Sequence, residues 1–496
     1  MSWRREDDWI AHEQRCVEAI RRGGRNRAGV WIPAAGRDAE VETSRLELPF
    51  GSVIELHAVL QPDPFQPQRR PKPRSCARRQ RRRFTFPMET SSSPAQCKQV
   101  EFTTTERVQI TKLKTVVVNA ELRNWILVKI ETDQPGLYGW GEASLEMKTR
   151  AVLGAIEDLT PMVIGEDPTR IEHLYQKLYR GGFFRPGVIG MSAISGIEQA
   201  LWDIFGKILN VPVYKLLGGA VRDRIRMYTH LGGGEWQSVY RTFDPGRLVE
   251  LAHRVIEQGY SALKVVCVPY SELLMGADHT KRFAKTIEML RVAVGDSIDI
   301  MIDFHGRTSP GTAIQYINAV EEFKPFFCEE PVSPENIDAL AEVRRAVRVP
   351  IATGERLVTR HQFRRIFELQ ACHVIQPDLC HCGGLLEARK IAAMAEAYYM
   401  GVAPHNPLGP IANCVATHFA LATPNFLIQE DMVGDVPWRW DVVQHELKTR
   451  NGYWLPPTAP GLGIEVNEKE AAKHPFQQEM NIISEAQAED GAILDF

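Results

Sequence analysis

Along residues 108–143 apolar and polar positions alternate in three runs, VQITKLKTVVV, WILVKIET and GLYGWGEA, with Asp133-Gln134-Pro135-Gly136 between the second and third. Period-two alternation broken by turn residues predicts an antiparallel meander. The period then lengthens. In 191–209 (MSAISGIEQALWDIFGKIL) Ile194, Ile197, Leu201, Ile204 and Ile208 recur three or four apart, which predicts a packed helix.

Beyond Gly219 short β-rich runs return at regular intervals: IRMYTHL (225–231), ALKVVCV (262–268), IDIMIDFH (298–305), PFFCEEP (325–331), PIATGE (350–355), CHVIQPD (372–378), GVAPH (401–405) and FLIQED (426–431). Most are separated by helix-length amphipathic stretches. GRLVELAHRVIEQ stops at Gly259 and LLEARKIAAMAEAYYM at Gly401, in keeping with the preference for glycine after a helix C-terminus. Eight strands alternating with helices over about 230 residues predict a closed (β/α) barrel. An open doubly wound sheet is the alternative, but no G-x-G-x-x-G turn follows a strand.

Composition adds a division of the chain. With 496 residues, 44% hydrophobic and 24% charged, the sequence reads as a soluble globular protein of more than one domain, and no apolar run is long enough to span a membrane. The net charge of −3 conceals two parts. Residues 1–87 hold 18 basic residues, 17 of them Arg, against 11 acidic, while the remaining 409 hold 41 and 51. Within the front, 69–83 (RRPKPRSCARRQRRR) carries nine basic residues in fifteen after a proline-rich stretch, so it has nothing to bury and is expected to be a disordered extension. Such a block also reads as a nuclear or organelle address, although Glu6, Asp7 and Asp8 speak against the latter. Nine cysteines without repeated spacing read as free thiols. Cys380-His381-Cys382 holds too little geometry to make a structural zinc site alone.

Candidate chemistry emerges from position within each unit. From the third run onward each is apolar until its end, where Asp303 and His305, Glu329 and Glu330, Glu355, Asp378, His405 and Glu430 appear. The steps from 303 to 329, 355, 378, 405 and 430 are 26, 26, 23, 27 and 25 residues, one unit each. All C-terminal strand ends of a parallel barrel meet on one face, so these groups are expected to converge. Asp303, Glu329 and Glu355 form an all-oxygen trio suited to Mg²⁺. His405 lies one unit past Asp378, which can fix its tautomer and support it as a base, and His305 shares a strand-end face with Asp303.

On IDFHGR (302–307), CEEPV (328–332), ATGERL (352–357), IQPDLCHCGG (375–384), APHNPLGP (403–410) and IQED (428–431), the chain resembles the mandelate racemase-like group of the enolase superfamily, and within it the D-galactonate dehydratases, from about residue 108 to 466. The resemblance implies an α/β fold, a (β/α)7β barrel with an N-terminal α+β capping domain. Its boundaries are an extension 1–105, a capping domain 106–222, a barrel 223–455 and a segment 456–496 returning to the cap. It implies one Mg²⁺ on Asp303, Glu329 and Glu355, with His405 and Asp378 removing a sugar acid's α-proton and His305 protonating the departing hydroxyl. Glu430, protonated or sharing a proton, would bond the substrate carboxylate or enediolate. Many racemase and lactonising relatives carry K-x-K on the second strand; here Lys264 is followed by Val265-Val266, which favours a one-base dehydratase.

Lys264, Asn406, Glu146, Lys148 and Arg150 are the expected substrate-binding residues. Val266 and Asn406 stand where the dehydratases have asparagine and cysteine, so the resemblance speaks to the reaction more than to the sugar. Dehydration of another aldonate, a sugar-acid lactone cycloisomerase and a non-catalytic barrel remain open. The expected setting is a cytoplasmic homo-oligomer acting on a small sugar acid, with neither nucleic acid nor membrane as partner of the body.

Overall fold

The computed structural model describes residues 108–231, 244–432, 434–479 and 486–495, together with four backbone strands nearer the start. Those strands pair antiparallel, Gly24–Arg25 with Trp31–Ile32 and Val41–Glu47 with Val53–Val59. The arginine-rich 69–83 and the expected disordered character of 1–105 otherwise lie outside the described residues. By internal contacts the chain divides into Met1–Gln99 and Val100–Phe496, and every candidate site residue belongs to the second unit.

The alternating runs form β1 (Ile110–Ala120), β2 (Arg123–Thr132) and β3 (Tyr138–Glu142), an antiparallel sheet in the order β1-β2-β3. Three helices follow: α1 (Thr149–Val163), α2 (Ile171–Arg180) and α3 (Gly187–Ile208). In α3 the predicted stripe Ile194, Ile197, Leu201 and Ile204 is buried, whereas Ile208, at the helix end, is exposed. The opposite face is buried too. Ser192, Ser195, Glu198, Gln199 and Asp203 are polar yet inaccessible, so α3 lies between two apposed surfaces. A short helix α4 (Val213–Leu216) leads out of the cap.

Among the described residues, eight parallel strands then alternate with seven helices. In order they are β4 (Ile225–His230), α5 (Pro245–Glu257), β5 (Ala262–Val265), α6 (Ala277–Val294), β6 (Asp299–Asp303), α7 (Pro310–Val320), β7 (Phe327–Glu329) and α8 (Ile337–Ala346). β8 (Ile351–Thr353), α9 (Thr359–Leu369), β9 (Val374–Ile375), α10 (Gly384–Ala397), β10 (Gly401–Val402), α11 (Pro410–Ala422) and β11 (Gln429–Asp431) complete the series. Neighbours pair in chain order. β11 pairs β4, and Val402 bridges Phe426, so the ring closes. Helix α10 ends before the expected stop at Gly401, because Tyr399, fully exposed and in the left-handed region (φ 57°), already turns the chain.

One residue per strand fills the barrel interior: Tyr228, Ala262, Met301, Phe327, Ala352, Val374, Ala403 and Ile428 pack as a single layer. Tyr228 and Phe327 meet edge to face, 6.4 Å between centroids, in a layer whose other members include three alanines. After β11, strands β12 (Val443–His445), β13 (Lys448–Arg450), β14 (Tyr453–Leu455) and β15 (Ile464–Val466) lead to a short helix α12 (Glu468–Ala471). This tail lies on the cap: Gly461 O accepts from Val213 N, Leu462 N donates to Asp203, and Lys129 Nζ pairs with Glu468 at 2.7 Å. No described helix is long and apolar enough to cross a membrane.

Candidate active site

The interior layer dictates what stands above it. Side chains on one strand face recur every two residues, so the positions two beyond Tyr228, Ala262, Met301, Phe327 and Ile428 are His230, Lys264, Asp303, Glu329 and Glu430. All five are buried. Parallel register brings Asp303 beside Glu329 and puts Glu430 beside Tyr228. The last apolar layer thus becomes the floor of a polar mouth.

Asp303, Glu329 and Glu355 each bring a carboxylate oxygen to within 4.8 Å of the other two. Glu355 Oε2 is buried with no hydrogen-bond donor, and the closest cationic group to it is His405 Nε2 at 3.5 Å. Three converging carboxylates, one with an orphaned oxygen and no sulfur nearby, fit a hard divalent cation. The trio is the one such cluster of three or more metal-ligating side chains among the described residues; Cys380, His381 and Cys382 form none. The described cysteines are buried free thiols.

Lys264 lies at the centre of the remaining charge. Its Nζ donates to Glu329 Oε1 and Oε2 at 2.9 and 3.0 Å, and pairs with Asp303 at 3.2 Å and Glu430 at 2.6 Å. Burial disfavours its charge, but Glu329, Glu430 and Asp303 outweigh it and hold the ammonium well above its usual range. Glu430 also bonds His230 Nε2 at 2.7 Å and accepts from Asn406 N at 2.6 Å. Against burial, Lys264, His405 and His230 keep Glu430 well below the carboxylate range. Of the two expected states, protonated or sharing a proton, the protein neighbours disfavour the first, because Lys264 and Asn406 N bring donors to the carboxylate.

His405 Nδ1 and Asp378 Oδ2 are 2.8 Å apart, and Asp378 Oδ1 accepts from Cys380 N at 2.7 Å. Burial opposes charging His405, yet Glu355, Glu430 and Asp378 push it up to about 10. His305, two residues past Asp303, has a left-handed backbone (φ 55°), and its N–H donates to Asp303 Oδ1 at 2.9 Å. Burial first, with Arg307, Lys264 and Arg356 adding to it, takes the imidazole down to about 4 despite Asp303. Glu330 turns away from the trio: it accepts from Thr353 Oγ1, Gly354 N and Arg356.

His305, Glu355, His405 and His381 line a cleft of about 400 Å³ together with Glu146 and Lys148 of the loop after β3. Glu146 is tied to Arg123 at 2.7 Å. Three of the five expected substrate contacts are not brought to that lining. Arg150 stacks over the Phe476 ring at 5.0 Å, and Asn406 is buried with its side-chain amide donating to Asn413 at 2.8 Å. Lys264, expected to meet a substrate oxygen, is engaged by three carboxylates. His230 was not singled out in the sequence, and His381 drew notice there only as part of Cys380-His381-Cys382, not as a residue of this cleft. His230 ends the first run in the same two-residue register as Glu430, which was the signal that pointed to it.

Comparison with known proteins agrees with this architecture. The domain described as "Mandelate racemase / muconate lactonizing enzyme, N-terminal domain" matches residues 99–218, and "Enolase C-terminal domain-like" matches 247–470. The D-galactonate dehydratase of Ralstonia nicotianae is 40% identical over 350 residues, 69% of this chain and 89% of that one. Its namesake from Cronobacter sakazakii is 38% identical over 369 residues, 73% and 93% of the two chains. Among solved structures, an enolase from Pantoea ananatis with bound D-gluconate and magnesium superposes with a TM-score of 0.71 at 31% identity, over 78% of this chain and all of that one. A mandelate racemase/muconate lactonizing enzyme-like protein from Roseovarius gives 0.70 at 36% identity, over 75% and 96%.

Proposed function

We propose a function from the premise that the chain belongs to the mandelate racemase/muconate lactonizing enzyme family of the enolase superfamily: it is a hydro-lyase that dehydrates a sugar acid to its 2-keto-3-deoxy product, with D-galactonate the lead substrate. One observation carries the reading. A carboxylate trio fit for a hard cation reaches, through Glu355, a cleft that is also lined by a histidine backed by an aspartate and by a second histidine.

Asp303, Glu329 and Glu355 would hold Mg²⁺, which when bound supplies Lewis-acid stabilisation of the negative charge that develops at the substrate carboxylate. His405 Nε2 takes the α-proton while Asp378 holds Nδ1, so the C–H pair moves toward the carboxylate. His305 delivers a proton to the C3 hydroxyl, the C–O bond breaks and water leaves. The resulting enol tautomerises to the ketone.

The protonation states need a rationale, since the protein groups alone favour a charged His405 and a neutral His305. Glu355 contributes most to the rise at His405. A carboxylate engaged by a cation no longer exerts that pull, which returns His405 toward a neutral base. An anionic acid in the cleft likewise offsets the cationic neighbours that lower His305. With Lys264 held by three carboxylates, the second strand offers no free amine, which supports chemistry with His405 as the single base.

The test is to incubate the whole chain with Mg²⁺ and a panel of aldonic and aldaric acids and to assay 2-keto-3-deoxy product. Turnover of D-galactonate or a close epimer, lost with EDTA, is the expected result. No turnover of any acid, with EDTA changing neither activity nor thermal stability, overturns the reading.

A further inference from the structure

We infer that Glu142 and Glu198 of the capping domain are positioning residues for the Asp378–His405 pair, acting through the N-termini of the two barrel helices that follow it. The inference rests on the proposed dehydratase reading for its kinetic consequence. Its structural content stands on the geometry alone.

Helices α10 and α11 begin just after Asp378 and His405, and neither supplies its own cap. Their N-cap residues are Gly383 and Gly409, which have no side chain to accept from the exposed backbone N–H groups. The cap provides the acceptors. Glu198 on α3 receives Leu385 N on Oε2 and Leu386 N on Oε1, both at 2.9 Å, and Trp202 Nε1 at 2.7 Å. Glu142 at the end of β3 receives Gly409 N at 2.7 Å, Ala412 N at 2.9 Å and Ser144 Oγ at 2.6 Å. Two carboxylates, both fully buried, are thus each satisfied by three donors and aligned with a helix dipole.

The glycines belong to the arrangement. A Cβ on Gly384 (φ 84°) would collide with the Glu198 carboxylate, and one on Gly409 with that of Glu142, so both close approaches require glycine.

Around these two anchors the cap grips the intervening loops almost residue by residue. Gln199 Nε2 donates to Leu379 O at 3.0 Å, Gly383 N donates to Ser195 Oγ at 3.0 Å, and His381 Nδ1 lies 3.0 Å from Ser192 Oγ. In the second loop Arg123 donates to Pro407 O. Gln199 also accepts from Glu142 N at 2.8 Å, so one side chain ties the end of β3 to the first loop. No comparable cap contact is needed on the other side of the mouth: α7 and α8, after the strands that carry Asp303 and Glu329, are capped by their own Ser309 and Asn336.

The consequence is selective. Loosening Glu142 or Glu198 shifts Asp378 and His405 and leaves the metal ligands in place. Misplacement of a base by about 1 Å can lower turnover on the order of 100-fold.

Glu198→Gln and Glu142→Gln test this, because an amide nitrogen cannot accept from a helix N–H. The expected result is a fall in kcat of about 10- to 100-fold with little change in KM. Mg²⁺ affinity by calorimetry should stay within about threefold of the parent, and hydrogen–deuterium exchange should rise in peptides covering 378–390 or 405–415 but not 299–308. Unchanged kcat in both variants overturns the inference. So does a parallel loss of Mg²⁺ affinity with exchange rising across the whole barrel, which would mark general destabilisation. Should Glu198→Gln not fold, Ser195→Ala removes one acceptor for Gly383 N and is read by the same criteria, with a smaller fall in kcat. If the parent dehydrates no sugar acid, the dehydratase reading fails, and the exchange pattern alone decides the positioning role.

Discussion

The two sides of the barrel mouth are built on different principles. On one side Asp303 and Glu329 sit at strand ends in paired register, above an apolar layer, with helices capped by the barrel's own Ser309 and Asn336. On the other, Asp378 and His405 stand three residues beyond two-residue strands, on loops whose far ends are fastened by Glu198 and Glu142 of another domain. The first side is a local property of the barrel. The second exists only when cap and barrel are docked. The proposed cation site and the proposed proton-transfer pair should therefore be separable by mutation, although Glu355 and His405 line one cleft.

The largest effect should come from the barrel side. Glu329→Gln removes a ligand and the main partner of Lys264, so turnover should fall by at least about 10³-fold and the calorimetric Mg²⁺ signal should vanish. Retained Mg²⁺ affinity would show that the trio is not the metal site. Asp378→Asn is the counterpart: a fall of about 10²- to 10⁴-fold in kcat with Mg²⁺ affinity kept. If both variants lost metal together, the two sides would not be independent.

A third test concerns pH. Burial raises the Glu198 carboxyl to about 7, even though Leu386, Leu385 and Trp202 donate to it. The folded chain thus keeps a proton that the unfolded chain releases near 4.5, so this group's contribution to stability is complete below that pH and is lost as pH rises through about 7. Relative to the parent, Glu198→Gln should gain stability by up to about 1.4 kcal/mol per pH unit across that window. A pH-independent difference between the two denaturation midpoints would mean that Glu198 is ionised throughout. Smallest of all, Lys148→Met should raise KM several-fold with kcat kept, while Arg150→Ala should leave both within about twofold, because only Lys148 borders the cleft. Equal effects of the two would return Arg150 to the substrate.

Much of the barrel side was legible beforehand. A carboxylate or histidine at the end of each run from the third onward, one βα unit apart, needs only strand periodicity and barrel closure to be brought to one face. The two-residue register that lifts Asp303 and Glu329 above the apolar layer also carries Lys264, which the sequence marked as a substrate contact, and His230, on a strand where no carboxylate drew attention. The cap side was much less legible. In α3 the apolar stripe through Ile194 and Leu201 announces a packed helix, while Ser192, Ser195 and Glu198 form a second stripe at the same three-residue step. Periodicity alone does not separate a solvated polar face from one that caps another domain's helices. Asn406 and Arg150 were misplaced for a related reason. Proximity in sequence to His405 or to the cap loop does not say which way a side chain turns, and both found partners away from the cleft.

The proposed mechanism turns on His405 taking the α-proton of a sugar acid in a Mg²⁺-dependent dehydration. Proton NMR in D₂O, with Mg²⁺ and D-galactonate or whichever acid of the panel turns over, compares the parent with His405→Asn. The account predicts 2-keto-3-deoxy product carrying solvent deuterium at C3 from the parent, and neither product nor α-proton exchange from His405→Asn. Exchange at the parent rate in His405→Asn would contradict it.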